Sequence, residues 1–175
     1  MKRSLLWFLC VPLWVFAYPL TPQVDATPGG LCNESDPDLS EYRYDEQIPY
    51  CQRKVSAGLK KNIYREYAIP EAEQTQYTID HFFPLSLGGS NRKENLWPEH
   101  REVKATRPRL EIELYVALRD GSLHQDEALE IIREVKLNPC SESVGRFLTP
   151  VLEHRDACRR QNPPVPGVKP IELRD

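Results

Sequence analysis

The segment of residues 75–98 constrains the fold more than any other part of the chain. Apolar and polar side chains alternate from Thr75 to Ile79, which predicts a short strand that ends at Asp80-His81. Adjacent residues of a strand point to opposite faces, so Asp80 and His81 can share one site only where the strand ends and the chain turns. The sequence therefore predicts a turn directly after this strand.

A long connection and a second strand follow the Asp-His pair. Residues 82–94 contain the turn sequence Gly88-Gly89-Ser90-Asn91, in which the glycines and the asparagine tolerate positive φ angles. Asn95-Leu96-Trp97 predicts a short second strand, and Pro98 suits the first position of a helix that runs to about Thr106. The predicted order is strand, loop, strand and helix.

Further helices are predicted on both sides of this segment. Ser56 suits an N-cap, and an apolar residue recurs at every fourth position from Val55 to Tyr67. A helical hairpin is predicted after Pro108, with an apolar face formed by Leu110, Leu114, Ala117, Leu118, Leu129, Ile132 and Val135. We expect a flexible lead-in over residues 18–31, an acidic solvated loop over residues 33–46 and a disordered proline-rich tail over residues 161–175.

The first 17 residues predict a secretory signal peptide. Lys2 and Arg3 precede an apolar run from Leu5 to Ala17, whose last three residues suit cleavage by a signal peptidase. A membrane span needs about 20 apolar residues, so this run is too short to be one. We therefore expect a secreted or periplasmic protein, cleaved near Ala17 and without a stable membrane anchor.

The net charge of the chain is −3, and loss of the signal would make it more negative because Lys2 and Arg3 would go. This is not the overall basic balance of a strong nucleic-acid binder. Local clusters of basic residues therefore matter more than the sum of charges.

Four cysteines follow the predicted signal, at positions Cys32, Cys51, Cys140 and Cys158. An even number of cysteines in an exported chain predicts two disulfides. Three pairings are possible, and we favour Cys32–Cys51 with Cys140–Cys158 because it is the most local. The spacing differs from the paired C-x-x-C of a zinc site built from cysteines.

The run from Asp80 to Leu96, with the pattern D-H-x-x-P-L-x-x-G-G-S-N-x-x-x-N-L, resembles the HNH, or ββα-metal, motif of bacterial HNH endonucleases. The resemblance covers about residues 75–107. It implies an α+β fold, with a small ββα-metal core and flanking helices in one disulfide-braced domain over residues 32–160. It also implies an exported endonuclease that hydrolyses phosphodiester bonds of nucleic acid, DNA more than RNA, and that we expect to be a monomer.

Phosphodiester hydrolysis needs a base for the attacking water and positive charge near the phosphorus. Histidine suits the base because its ordinary pKa of about 6.5 lies near the working pH, and the resemblance assigns this role to His81. A carboxylate is a hard-oxygen ligand suited to Mg²⁺ or Mn²⁺, which indicates Asp80 as a ligand of a divalent cation. By resemblance, Asn95 would fix the loop and help to orient His81.

The family pattern also has a metal ligand on the helix, about nine residues after the asparagine, where this chain has Lys104. His100 lies one helical turn earlier on the same face, so it is the candidate for the second protein ligand of the cation; the alternatives are that His100 contacts phosphate or that the helix supplies no ligand. Water would complete the coordination shell, since Mg²⁺ usually keeps several waters.

Basic residues near the motif are candidates for contacts with phosphate. They are Arg92 and Lys93 in the loop, and Lys104, Arg107 and Arg109 in and after the helix. The alternative is that these residues only solvate the surface, because acidic residues are interspersed among them. The same two interpretations apply to the five basic residues between positions 53 and 65.

A non-catalytic module of the cell envelope that keeps the ββα fold and binds a partner is the alternative to a nuclease. A secreted nuclease toxin is a third hypothesis. A structure in which His100 and every other donor lie more than about 4 Å from the Asp80 carboxylate would favour the binding module, because the ligands of a cation must lie within coordination distance of it.

Overall fold

The computed structural model describes residues 18–139. The predicted signal peptide, the predicted Cys140–Cys158 disulfide and the proline-rich tail lie outside the described residues. The described part has mixed α and β structure, with two separate antiparallel sheets of two strands each and helices between and after them. Within residues 18–139 no helix has the length and apolar character that a membrane crossing requires.

The first sheet is a hairpin of β1 (Leu39–Arg43) and β2 (Ile48–Cys51). The prediction of a solvated acidic loop over residues 33–46 was wrong for the part that forms β1. Glu41, the acidic residue of β1, is exposed, while pairing with β2 supplies backbone partners and Ile48 is buried. A disulfide joins Cys32 to Cys51 with the Cα atoms 5.7 Å apart, which confirms this half of the predicted pairing.

Helix α1 (Ala57–Glu66) begins where the sequence predicts. The Ser56 hydroxyl accepts a hydrogen bond from the Leu59 amide at 3.1 Å, which satisfies one of the free donors at the helix start. Ile63, at the centre of the predicted apolar stripe, is fully buried. A short 3₁₀ helix, Glu71–Gln76, then leads into the second sheet.

The second sheet pairs β3 (Tyr77–His81) with β4 (Leu96–His100). The antiparallel register sets Tyr77 opposite His100 and His81 opposite Leu96. The prediction that Pro98 begins a helix was wrong, because Pro98 lies inside β4 opposite Ile79. Pairing with β3 extends the strand to His100, and helix α2 (Arg101–Ala105) begins only after it.

The connection between β3 and β4 is held tightly by its own backbone. It contains two short 3₁₀ helices, Leu85–Leu87 and Lys93–Asn95, and Gly88 has the positive φ angle of 85° that the turn sequence predicts. A Cβ atom on Gly89 would lie 1.8 Å from the Phe83 carbonyl oxygen, so only glycine fits there.

Two helices follow α2 and form the predicted hairpin, α3 (Leu110–Arg119) and α4 (Gln125–Leu137). Two hydrophobic clusters result. The first, around α3 and α4, consists of Ile48, Phe82, Phe83, Leu87, Leu110, Leu114, Leu118, Ala128, Ile132 and Val135. The second, around α1 and the second sheet, consists of Leu20, Ile63, Tyr67, Ile69, Tyr77, Ile79, Leu96, Trp97 and Val103. Asp80 and His81 therefore lie where β3 passes from one cluster to the other.

Residues 18–31 differ from the flexible lead-in that the sequence predicts. Leu20 is buried in the second cluster, and the Thr27 hydroxyl donates to the Leu96 carbonyl at 3.0 Å. Leu31 forms a bridge with Gly89. The segment lacks periodicity because its order comes from contacts with distant strands, not from local structure.

Candidate active site

His81 ends β3 with its imidazole held on both ring nitrogens. Its Nε2 lies 3.0 Å from Asn91 Oδ1, and its Nδ1 lies 3.3 Å from a guanidinium nitrogen of Arg53. The residue is only 2% exposed, whereas Arg53 is exposed to solvent. The backbone carbonyl of His81 accepts a hydrogen bond from Lys136 Nζ at 2.7 Å. The ring is thus fixed between the β3–β4 loop and a basic residue at the surface.

The hydrogen-bond partners determine which imidazole nitrogen carries the proton. The Asn91 amide nitrogen donates to the Asp38 carboxylate and to the Gln52 carbonyl, at 2.8 Å to the latter, so its Oδ1 must face His81. An oxygen acceptor requires a donor, which places the proton on Nε2. Arg53 can only donate, which leaves Nδ1 as the acceptor. Nδ1 is therefore the basic atom.

The environment of His81 favours the neutral imidazole. Burial lowers the pKa of His81 below its ordinary value, and the positive charges of Arg53 and Lys136 act in the same direction. The hydrogen bond with Asn91 and the charge of Asp80 oppose this shift without reversing it. A neutral histidine with a lone pair beside a cationic side chain can accept a proton near pH 7.

Asp80 is held by positive charge. Its carboxylate accepts a hydrogen bond from Lys104 Nζ at 2.5 Å. Burial opposes ionisation, but the charges of Lys136 and Lys104 outweigh it and hold the pKa of Asp80 at about 2. Asp80 is therefore ionised at any pH at which the protein would work.

Glu99 is a second carboxylate next to the same ammonium group. One Glu99 oxygen lies 3.7 Å from Lys104 Nζ, and the other pairs with the buried guanidinium of Arg107. Thr78 is opposite Glu99, and residues opposite each other in a sheet lie on the same face. Asp80, two residues after Thr78, is on that face too, so Asp80 and Glu99 share one face of the β3–β4 sheet. Arg107 Nη1 has no hydrogen-bond partner among the described residues.

The donor set at Lys104 fits a hard divalent cation. Two carboxylates converge on one cationic atom, and carboxylate oxygens are the ligands that Mg²⁺ and Mn²⁺ prefer. Asp80 and Glu99 are the residues that would hold such an ion. The sequence predicted Asp80 for this role but not Glu99, which lies in the helix that it predicted to begin at Pro98.

His100 is not brought to Asp80. Its Nδ1 caps α2 by accepting from the Glu102 amide at 3.3 Å, and its ring stacks on Tyr18 with centroids 3.8 Å apart. In the register His100 is opposite Tyr77, three residues from Asp80, which is about 10 Å along the strand at ~3.3 Å per residue. His100 does not reach Asp80 as expected, because β4 extends to His100 and helix α2 begins only after it.

Asn95 fixes the loop, as the resemblance implies. Its Oδ1 accepts from the Phe83 amide at 2.8 Å, and its Nδ2 donates to the carbonyls of Phe83 and Ser90, both at 2.9 Å. The side chain that directly orients the His81 ring is Asn91, which the sequence had assigned to turn geometry alone.

All five basic residues predicted to contact phosphate are paired with acidic residues. Arg92 lies 3.5 Å from both Asp36 and Glu94, Lys93 lies 2.8 Å from Glu66, and Arg109 lies 2.9 Å from Glu113. Lys104 and Arg107 pair with Asp80 and Glu99. For the four exposed residues these contacts agree with the alternative in which the charges only solvate the surface, whereas Arg107 is buried.

The sequence left several contacts of the site unidentified. Arg53 is one of the five basic residues between positions 53 and 65, but nothing in the sequence connects it with His81. Asp38 and Asn91 are 53 residues apart, and Lys136 and the His81 carbonyl are 55 apart. Only the HNH-like run gave a signal for Asn91.

One further cluster has potential metal ligands. Within residues 18–139, Cys32, Asp36 and Cys51 are the only three such residues whose ligand atoms lie within 4.8 Å of one another. The two sulfur atoms are joined in a disulfide and so cannot act as thiolate ligands.

Asp80 and His81 are both part of β3, and the chain turns after them rather than between them. Their side chains therefore point in different directions from the strand. That Asp80 and His81 belong to one site stays a prediction. Comparisons of the chain with family models, with curated proteins and with solved structures found no match.

Proposed function

We propose that the protein is an exported, metal-dependent endonuclease of the HNH type, which hydrolyses phosphodiester bonds of nucleic acid, preferentially DNA. The observation that carries the proposal is the position of the buried His81, whose Nδ1 lies 3.3 Å from the exposed Arg53 guanidinium. A phosphate drawn to this guanidinium would bring a water molecule to the base. The Cys32–Cys51 disulfide supports export to an oxidising compartment.

In the proposed reaction a water oxygen bonds to phosphorus while its proton passes to His81 Nδ1. The ester bond to the leaving oxygen breaks, and that oxygen takes a proton from solvent. Arg53 binds the phosphate, and Asn91, which accepts from Nε2, keeps the proton off Nδ1. A divalent cation held by Asp80 and Glu99 would supply positive charge to the leaving oxygen.

A non-catalytic envelope-binding module is the second candidate. Two observations favour it. The ion pair of Lys104 with Asp80, at 2.5 Å, neutralises the carboxylate without a metal, and His100 lies about 10 Å along the strand from Asp80. In this case Asp80 and His81 would stabilise the end of β3, and no nucleic acid would be cleaved.

Plasmid cleavage by the purified protein tests both candidates. We expect nicking with Mg²⁺ or Mn²⁺, no nicking with EDTA, and a loss of at least about 100-fold in H81A, the lower range for a general base. H124A is the matched control, because His124 is an exposed histidine at the start of α4. An intact plasmid with every metal tried, or full activity in H81A, would contradict the nuclease.

A further inference from the structure

We propose that Asp38 is a positioning residue that determines, through Asn91, which nitrogen of His81 carries the proton. The three side chains form a chain of hydrogen bonds from the surface hairpin to the end of β3. The consequence for catalysis rests on the proposed function, whereas the effect on the imidazole proton does not.

Asp38 acts on the orientation of the Asn91 amide. A carboxamide can rotate by 180° and exchange its oxygen and nitrogen, and only its hydrogen-bond partners decide between the two orientations. The Asp38 carboxylate and the Gln52 carbonyl are both acceptors, so they hold the Asn91 nitrogen on their side. The carboxylate contact is the stronger of the two because it is charge-assisted.

The opposite orientation of Asn91 would disable the base. Its amide nitrogen would then face His81 Nε2 and require a lone pair there, which would move the proton to Nδ1. That proton would face the Arg53 guanidinium, which can only donate. Nδ1 would no longer be able to take a proton from water.

The hairpin delivers both acceptors to Asn91. Asp38 lies directly before β1, Gln52 lies directly after β2, and the Gln52 amide donates to the Asp38 carbonyl at 2.8 Å. Asn91 itself is only 7% exposed, so water competes little for its amide. The hairpin thus keeps the His81 proton on Nε2, although Asp38 and His81 are 43 residues apart in the sequence.

Nitrogen NMR of the histidine rings tests the proposal without any substrate. Protein labelled with ¹⁵N-histidine is measured above the pKa of His81, where long-range proton–nitrogen correlations identify the protonated ring nitrogen. We expect the wild type to show only the Nε2–H form at His81. D38N, which keeps a neutral acceptor, should show a partial shift toward the Nδ1–H form, and D38A a larger one.

D45N is the matched control, because Asp45 is an exposed acidic residue in the turn of the same hairpin. It should keep the wild-type signal. A retained Nε2–H form in both Asp38 variants, with thermal unfolding showing that they are folded, would overturn the proposal. If D38A fails to fold, D38N decides the outcome by the same measurement.

Plasmid cleavage separates this proposal from the proposed function. We expect kcat to fall at least about tenfold in D38A, since a tenfold change corresponds to ~1.4 kcal/mol and a charge-assisted hydrogen bond is worth as much. A tautomer shift in a protein that cleaves nothing supports the role of Asp38 and contradicts the nuclease. Unchanged tautomer and unchanged kcat in D38A contradict the role of Asp38 alone.

Discussion

At the scale of single residues, the protonation states of His81 and Asp80 are set by their neighbours. His81 is kept neutral by burial and by nearby positive charge, and Asp80 is kept ionised by Lys136 and Lys104. Each state suits the role that we propose, a proton acceptor in one case and an anionic ligand in the other. The roles therefore depend on contacts that a sequence motif of Asp-His does not contain.

The activity of the proposed nuclease should decrease at acidic pH because protonated His81 cannot act as a base. Since the pKa of His81 is lowered, kcat/KM should be constant above pH ~6.5, the ordinary histidine value, and should fall only below it. A cleavage-rate profile on plasmid between pH 4.5 and 8 measures this. A midpoint above 6.5 would contradict a lowered pKa.

Removal of the Lys104 ammonium should expose the two carboxylates to metal. We expect K104M to have a lower Tm than the wild type in EDTA, because Asp80 and Glu99 lose a shared cation. Mn²⁺ should then raise the Tm of K104M more than that of the wild type, since bound ligand stabilises the folded state. Differential scanning calorimetry measures both effects.

The matched control for K104M is K93M, because Lys93 pairs with Glu66 at the surface, outside the Asp80–Glu99 pair. An equal response to Mn²⁺ in K104M and K93M would show that Asp80 and Glu99 hold no cation at this position.

At the scale of elements, helix α4 supports the end of β3 through one buried side chain. Lys136 is fully buried, and its ammonium donates to the His81 carbonyl at 2.7 Å and to Glu111 at 3.0 Å. Burial lowers the pKa of Lys136, while the charge of Glu111 opposes this shift. The helical hairpin is thereby connected with the candidate site, although it contributes no side chain to the His81 ring.

We expect K136M to lower the free energy of unfolding by about 1–3 kcal/mol, because it leaves the buried His81 carbonyl without a partner. Urea denaturation measures this difference. K61M is the control, since Lys61 is exposed on α1 and should change stability by less than ~0.5 kcal/mol. Equal stability of K136M and the wild type would show that water satisfies the carbonyl.

At the scale of the whole molecule, the disulfide joins the surface hairpin to the N-terminal segment that contacts the second sheet. Cys32 and Cys51 enclose β1 and most of β2, and the closed loop contains Asp38. Leu31, beside Cys32, also bridges to Gly89 in the β3–β4 loop. Separate parts of the chain therefore converge on the residues around His81.

The C32S/C51S variant should be about 3 kcal/mol less stable than the wild type, given the sequence separation of 19 residues between the two cysteines. Its cleavage rate should fall as well, because Asp38 and Gln52 lose their support. Denaturation and plasmid cleavage measure the two effects, with C140S/C158S as the control outside this loop. Unchanged stability in C32S/C51S would show that hairpin packing alone holds the loop.

The sequence by itself determined the local elements of the protein. Ser56, the apolar stripe of α1, the turn at Gly88 and the alternation before His81 each act through neighbouring residues, so their structures follow from spacing and propensity. The tertiary structure decided the position of Pro98 and the environment of the site. Pairing with β3 overrode the helix preference of Pro98, and Arg53, Asp38 and Lys136 reach His81 or its partner Asn91 from distant parts of the chain. Local patterns cannot encode such contacts, because they form only when separate elements pack together.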